Sequence, residues 1–187
     1  IESSDAYSGW LRTRTFSAWI YNDTGASFTP KLRIQTPSAA GVSRNLYGQF
    51  DIDRRGAILN NSRSDTSTQL GGWVQGNPWL ARGPARVILN EVRSNDPSRL
   101  GGYLEVGGER AQVVVANPAG ITCDGCGFIN ASRALVTTGT PRLEGEALAG
   151  LHLAGRDFAM IDWAHTRAVD NYRPAVVDSW GIPPRGW

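Results

Sequence analysis

The side chains able to do chemistry in this chain are few. Its 187 residues include 2 cysteines and 2 histidines. The cysteines stand together as Cys123-Asp124-Gly125-Cys126. A redox pair of this spacing wants a helix N-terminus to lower the thiolate pKa, and Gly125, Gly127 and the flanking strand-like runs argue against a helix here. A zinc site needs further ligands. His152 and His165 follow Cys126 at 26 and 39 residues, without finger spacing. A local disulfide across a corner is compatible with two intervening residues and suits an oxidising compartment. Two small buried thiols packing a turn remain the alternative: the disulfide leads if the chain is exported, the thiols if it is not.

Catalytic constellations are equally sparse. His152 or His165 with Asp157 or Asp162 would supply two members of a Ser-His-Asp system, but no Gly-x-Ser-x-Gly elbow is present. Glu144, Glu146 and Asp157 are the carboxylates to consider for a β-helical polysaccharide hydrolase or lyase; solvated turn carboxylates are the preferred reading. Gly71-Gly72 and Gly101-Gly102 read as hairpin glycines, since no Gly-Lys-Ser/Thr follows to cradle a phosphate. The expectation is a chain without enzymatic activity, cofactor or metal.

The elements that position these residues are short strands. Gln112–Ala116, Gly127–Ile129 and Ala134–Thr138 are apolar runs separated by tight polar turns. Asn117-Pro118-Ala119-Gly120 is the first turn, with Pro118 presetting φ and Gly120 taking the positive φ of a sharp corner. Upstream, Leu32–Thr36, Gly41–Ser43, Tyr47–Ile52, Gly56–Leu59, Val87–Val92 and Tyr103–Val106 are further strands. Gly107-Gly108 reads as a hairpin turn into Ala111–Ala116. Ser62–Pro84, rich in Ser, Thr, Gly and Asn, is an excursion carrying Trp73 and Trp79. Leu148–Leu153 and Phe158–Ile161 follow Pro141. In residues 1–30, Thr13–Tyr21 has β-type content and Asn22–Gly25 signals a turn toward a hairpin partner at Ala26–Phe28. Strands this short must stack on others. Ile58-Leu59-Asn60 recurs as Ile88-Leu89-Asn90, and an Asn after two apolar residues suits a left-handed corner or a side chain bonded to the turn backbone. That pattern suggests a solenoid, although its spacing is too irregular for a sequence repeat.

Composition agrees with a turn-rich all-β domain: 41% hydrophobic residues and 22 glycines favour strands over helices. A net charge of +2 implies no strong pull on nucleic acid. Lys31 is the only lysine among otherwise arginine cations. No run of 18 apolar residues exists. Residues 1–30 lack the apolar core of a secretory leader. The chain opens on Ile1, so a mature product or an excised fragment is expected.

Several motifs together resemble a known family. Asn117-Pro118-Ala119-Gly120-Ile121 runs into Thr122-Cys123-Asp124-Gly125-Cys126-Gly127-Phe128-Ile129-Asn130. Upstream stand Arg55-Gly56-Ala57-Ile58-Leu59-Asn60-Asn61, Gln69-Leu70-Gly71-Gly72, Asn77-Pro78-Trp79-Leu80 and Ala85–Val92. In this order, over about Leu32 to Leu153, they resemble the secretion domain of the two-partner secretion exoproteins. That family comprises filamentous haemagglutinins, large haemolysins and contact-dependent growth-inhibition proteins. The resemblance implies a right-handed parallel β-helix with an N-terminal cap and extra-helical hairpins. It divides the chain into an atypical lead-in or cap at 1–31, the β-helix at 32–169, and an irregular tail or truncated continuation at 170–187. It implies an N-terminal secretion module of a large exoprotein, secreted or displayed at the surface of a Gram-negative bacterium by way of the periplasm. The module is recognised by the periplasmic domains of a cognate outer-membrane transporter, and it nucleates β-helix folding. A monomer is expected, with no nucleic-acid partner and no stable membrane insertion. The alternatives are a carbohydrate-active β-helix enzyme and a surface adhesin fragment. In the family both Asn-Pro motifs serve secretion through structure and partner recognition. The residues so implied are Asn77, Pro78, Trp79, Leu80, Asn117, Pro118, Ala119, Gly120 and Ile121. Trp79 and Ala119 replace the family's usual Asn.

Overall fold

The computed structural model describes residues 19–21, 29–153, 156–159 and 175–176. Its apolar runs are too short to bury a face alone, and each finds its partner in the next turn of a coil. In sheet one, β2 (Lys31–Arg33), β4 (Ala57–Asn61), β9 (Tyr103–Gly108) and β12 (Gly127–Ile129) lie parallel in that order. In sheet two, β3 (Val42–Tyr47), β7 (Val87–Val92), β10 (Ala111–Ala116), β13 (Ala131–Thr137) and β17 (Ala175–Val176) do the same. Sheet three is narrower: β8 (Ser98–Leu100) pairs with β11 (Ile121–Cys123), and Ile52 bridges to Leu100. The chain visits the three sheets in rotation, which is a parallel β-helix.

Register puts like on like. Leu32, Leu59 and Val106 form one inward ladder, and Ala57, Leu104 and Phe128 a second. Across the interior stand Ile88, Val113 and Val115 of sheet two. Register partners Leu32 and Leu59 are 27 residues apart, and Leu104 and Phe128 are 24 apart. Leu59 and Val106 are 47 apart because residues 62–84 leave the coil. This explains the misleading sequence repeat. Ile58-Leu59-Asn60 belongs to sheet one and Ile88-Leu89-Asn90 to sheet two, so their spacing is no coil length.

Three sequence expectations are corrected. Gly107-Gly108 is not a hairpin turn: β9 and β10 lie in different sheets, and the glycines form a coil corner. Gly101-Gly102 is likewise a corner. A Cβ on Gly102 would lie 2.1 Å from the Asp53 carbonyl oxygen, so only glycine lets these two corners stack. Gly41–Ser43 and Tyr47–Ile52 are not separate strands. Val42–Tyr47 is continuous, and Ile52 alone makes a bridge. The strand runs on through Arg44 and Asn45: Asn45 faces inward, stacked on Asn90, and its amide is held by the Ser43 and Leu89 carbonyls.

Antiparallel pieces dress the coil. β1 (Trp19–Tyr21) pairs antiparallel with β2 and covers the starting edge of sheet one. The proposed hairpin partner Ala26–Phe28 lies outside the described residues. β5 (Thr66–Thr68) and β6 (Gly72–Val74) make a hairpin over sheet one. β14 (Thr140–Glu144), β15 (Ala147–Leu153) and β16 (Arg156–Ala159) form a meander. Its Leu148 and Leu151 cover the outer face of sheet two at Val42, Leu89, Val114 and Leu135.

Tyr47 closes the core at the end of β3. It is fully buried, its ring centroid is 4.7 Å from that of Phe50, and its hydroxyl donates to Asn90 Oδ1 at 3.1 Å. Burial pushes its phenol above the ordinary tyrosine range. The folded chain therefore keeps a proton that the unfolded chain releases near pH 10, so stability is full below that pH and falls as pH rises above it. In an alkaline titration, the difference in phenolate absorbance between wild type and Tyr47→Phe should arise only in the step where near-ultraviolet circular dichroism is lost. Ionisation of Tyr47 with that signal intact would contradict its placement.

Candidate functional site: two asparagine-proline corners

Both Asn-Pro motifs fold by one scheme. A corner reverses the chain and strands backbone groups that no ladder satisfies, and a buried Asn side chain satisfies them. At Asn77, Nδ2 donates to the carbonyls of Ile34 (2.9 Å) and Asn60 (3.2 Å), while Oδ1 accepts from Trp79 N at 3.1 Å. Its backbone N donates to Ser62 O at 2.7 Å, and its carbonyl accepts from Leu80 N at 3.2 Å. At Asn117, Nδ2 donates to Asp96 O and Ser98 Oγ, both at 2.9 Å, and Oδ1 accepts from Ala119 N at 2.9 Å. Its backbone N donates to Thr137 O and its carbonyl accepts from Gly120 N, both at 3.0 Å. Both asparagines are 0% exposed. The Asn side chains are therefore internal struts that no partner can touch in the folded chain.

What each corner shows outward is different. Pro78 and Pro118 are exposed, Trp79 and Ala119 half-buried. Leu80 is buried in the main core and Ile121 packs against it. Pro78–Leu80 is a single 3-10 turn. The third position of each motif takes part through its backbone N–H, so the corner's bonds do not call on its side chain. Trp79 and Ala119 therefore keep the corner bonds where the family that the motifs resemble has Asn. Gly120 has φ +122, and a Cβ there would meet only Pro97 Cβ at 3.7 Å. Any side chain at 120 is opposed by backbone conformation, not by space.

Cys123 and Cys126 are joined as a disulfide with a Cα–Cα distance of 5.3 Å. The bridge spans the corner from β11 to β12. Sulfurs bonded to each other serve neither as nucleophile nor as metal ligands. Among the described residues no group of three or more His, Cys, Asp or Glu gathers. His152 is exposed on β15, opposite Thr140 and Asp157 in register. His165, Asp162 and the Asp157 side chain lie outside the described residues. Glu144 pairs with Arg142 at 2.6 Å. Glu146 accepts from Ala39 N at 2.9 Å and ties the meander to the coil. The carboxylates weighed for catalysis at 144 and 146 thus have structural partners.

Sequence reasoning missed Glu105. It is 4% exposed on β9, and its two carboxylate oxygens accept from Gln69 N and Leu70 N at 2.7 Å each. The signal was a carboxylate between Leu104 and Val106 in an apolar strand, which burial permits only with donors at hand. The glycine-bearing turn Gln69–Gly72 supplies them. Glu91 was missed as well. It is 6% exposed, with Arg44 at 2.7 Å and Arg93 at 3.0 Å.

Comparison with known proteins agrees with this geometry. A family model described as the TPS secretion domain matches residues 14–157. The chain is 64% identical over 127 residues to "Toxin CdiA" of Yersinia pestis, covering 68% of this chain and 4% of that protein. It is 50% identical over 123 residues to "tRNA nuclease CdiA" of Yersinia mollaretii, covering 65% of this chain and again 4% of that protein. The nuclease in that name is said of that protein. The crystal structure of the filamentous hemagglutinin secretion domain superposes with a TM-score of 0.66 at 36% identity, covering 73% of this chain and 45% of that one.

Two measurements check the corners. Asn117→Ala leaves the Asp96 carbonyl, Ser98 hydroxyl and Ala119 N–H without their partner, so it should cost about 1–3 kcal/mol in urea unfolding; Asn77→Ala should do the same. Gly120→Val should cost about 1–3 kcal/mol through backbone strain. An unchanged midpoint in all three would show the corners to be dispensable for stability. Thiol labelling of the unreduced, unfolded chain from exported material should find no free thiol, and reduction should shift stability only modestly because the closed loop is so short.

Proposed function

The chain belongs to the TPS secretion domain family, and on that footing we propose that it is a non-catalytic secretion module of a large exported protein. It is recognised in the periplasm by the soluble domains of a cognate outer-membrane transporter, and its folding seeds the coils that follow. Export to the surface of a Gram-negative cell goes with membership. The observation that carries the reading is the family match over residues 14–157, on a coil whose two Asn-Pro corners are built as internal struts.

The struts divide the labour of those corners. Asn77 and Asn117 hold the fold, so their effect on export runs through folding. Pro78, Trp79, Pro118 and Ala119 are what the corners leave accessible. The carbohydrate-active alternative would need a free carboxylate pair in a groove. The groove beside the β5–β6 hairpin has Glu105 as its acidic side chain among the described residues, and backbone N–H groups hold it. We take the module to act as a monomer on a protein partner.

The purified chain should bind the purified periplasmic region of its transporter, and an excess of that region in the periplasm should reduce export. The chain should release no reducing sugar from polysaccharides. Sugar release lost in Glu144→Gln would overturn the reading in favour of the enzyme, and absence of any complex would overturn the partner.

A further inference from the structure

Beside the β5–β6 hairpin an open groove of about 780 Å³ overlies the outer face of sheet one. Alternate residues of a strand face opposite ways. Leu104, Val106 and Phe128 pack in the core, so Tyr103, Glu105 and Ile129 form the groove floor. Thr66–Gln69 of β5 make a wall, and Arg110 stands where β9 gives way to β10. The floor is not a strand edge: β9 lies between β4 and β12 and spends its backbone bonds on them. On the wall, the Gln69 N–H goes to the Glu105 carboxylate at 2.7 Å. A ligand of this groove therefore meets side chains more than backbone.

Those side chains suit a sugar. Tyr103 is 49% exposed. Its ring lies across the bare backbone of its register partner Gly127, where a Cβ would stand 2.4 Å from Cε1 and 2.7 Å from Cδ1. The ring is thus backed from beneath and open to the groove above. A pyranose carries C–H bonds on its faces and hydroxyls around its rim. An aromatic ring takes the faces by dispersion and weak C–H contacts, and short polar side chains take the rim. Ser67 and Gln69 are exposed on the wall and Thr66 is half-buried, so hydroxyls and an amide line the same groove as the ring. Its volume falls in the range of ligand sites, roughly 300–1,000 Å³. Among the described lining residues the charged ones are Glu105 and Arg110. Both Glu105 oxygens are taken, by Gln69 N and Leu70 N. Arg110 is exposed and gives one bond, from Nη2 to Ala131 O at 3.1 Å. Its other guanidinium donors call for an anion. A groove whose acid is already bonded lacks the carboxylate pair of glycoside hydrolysis, so a sugar there is held and not cut.

We propose that this groove binds an oligosaccharide that bears a carboxylate. One pyranose lies on Tyr103 with its hydroxyls toward the β5 wall, and an acidic sugar brings its carboxylate to Arg110. Uronic and sialic acids share this chemistry. A neutral sugar would leave Arg110 unanswered, and an acidic peptide would meet the cation without filling the wall and the ring together. The site goes beyond the secretion-module reading: it gives the module a ligand of its own, independent of the transporter.

Saturation-transfer NMR on the full chain tests this with oligogalacturonate, 3′-sialyllactose, a neutral galacto-oligosaccharide and polyglutamate as probes. At least one acidic sugar should bind saturably with a Kd below about 1 mM, and which of the two does so tells a uronate chain from a terminal sialic acid. The neutral sugar should bind about tenfold more weakly, and polyglutamate should not compete. Tyr103→Ala should weaken binding about tenfold or more, while Tyr103→Phe, which keeps the ring, should stay within about twofold. Arg110→Gln should erase the preference for the acidic sugar with the melting temperature unchanged. Trp79→Ala, at the Asn77 corner, should leave affinity within about twofold. If Tyr103→Ala fails to fold, Arg110→Gln and the probe series decide. Failure of both acidic sugars to bind, competition by polyglutamate, or a preference that survives Arg110→Gln would overturn the proposal while the secretion-module reading stands.

Discussion

A coiled chain must turn a corner about every eight residues, and each corner strands backbone donors and acceptors inside a wall that water does not enter. An unmade hydrogen bond there costs more than a made one returns, so the corners decide whether the coil exists. Asparagine answers this because its side chain carries both donors and an acceptor at backbone spacing. Asn61 shows the solution most fully. Its amide donates to Ala85 O and Glu109 O, and its Oδ1 accepts from Ala85 N, all at 2.7–2.9 Å. Asn130, at φ +55, donates to Val106 O and Gly108 O of the preceding coil. With Asn77 and Asn117, these side chains bolt each coil to the one beside it.

The excursions depend on the same constraint. Residues 62–84 leave the coil after Asn61 of sheet one and rejoin it at Ala85, ahead of sheet two, and Asn61 ties the two ends across the root. Farther out, the hairpin is clamped to sheet one by Glu105 through the turn at Gln69 and Leu70, and by Asn60 Nδ2 through Gln75 O at 2.7 Å. The insertion is held by polar contacts at its base and turn, and among the described residues β5 has β6 as its strand partner.

How much of this was legible follows from what each signal encodes. Apolar runs flanked by corner residues located Val87–Val92 and Gly127–Ile129, because burial selects those side chains directly. Pro118 and Gly120 announced their turn by backbone preference alone. The wrong hairpin at Gly107-Gly108 arose because a glycine pair fixes a bend and not the direction in which the next strand leaves. The continuity of Val42–Tyr47 was not legible because the burial of Asn45 depends on its stacking with Asn90, a pairing that only the fold supplies. Glu105 stayed hidden because its partners are backbone N–H groups, which every sequence has and none displays. The burial of Asn77 and Asn117 could not be read either: an exposed Asx turn has the same letters.

The register distances have a consequence for how the coil is made. Since Leu104 and Phe128 are 24 residues apart, a new coil can dock once about that length is available. Leu59 and Val106 are 47 apart, yet loop-closure entropy grows only logarithmically, so the doubled span adds about 0.6 kcal/mol. Each coil therefore docks on its neighbour without closing a long loop, and folding that starts at any coil can propagate to the next. An arrest at any step leaves behind a finished stub whose last coil is a template of the right shape for the next.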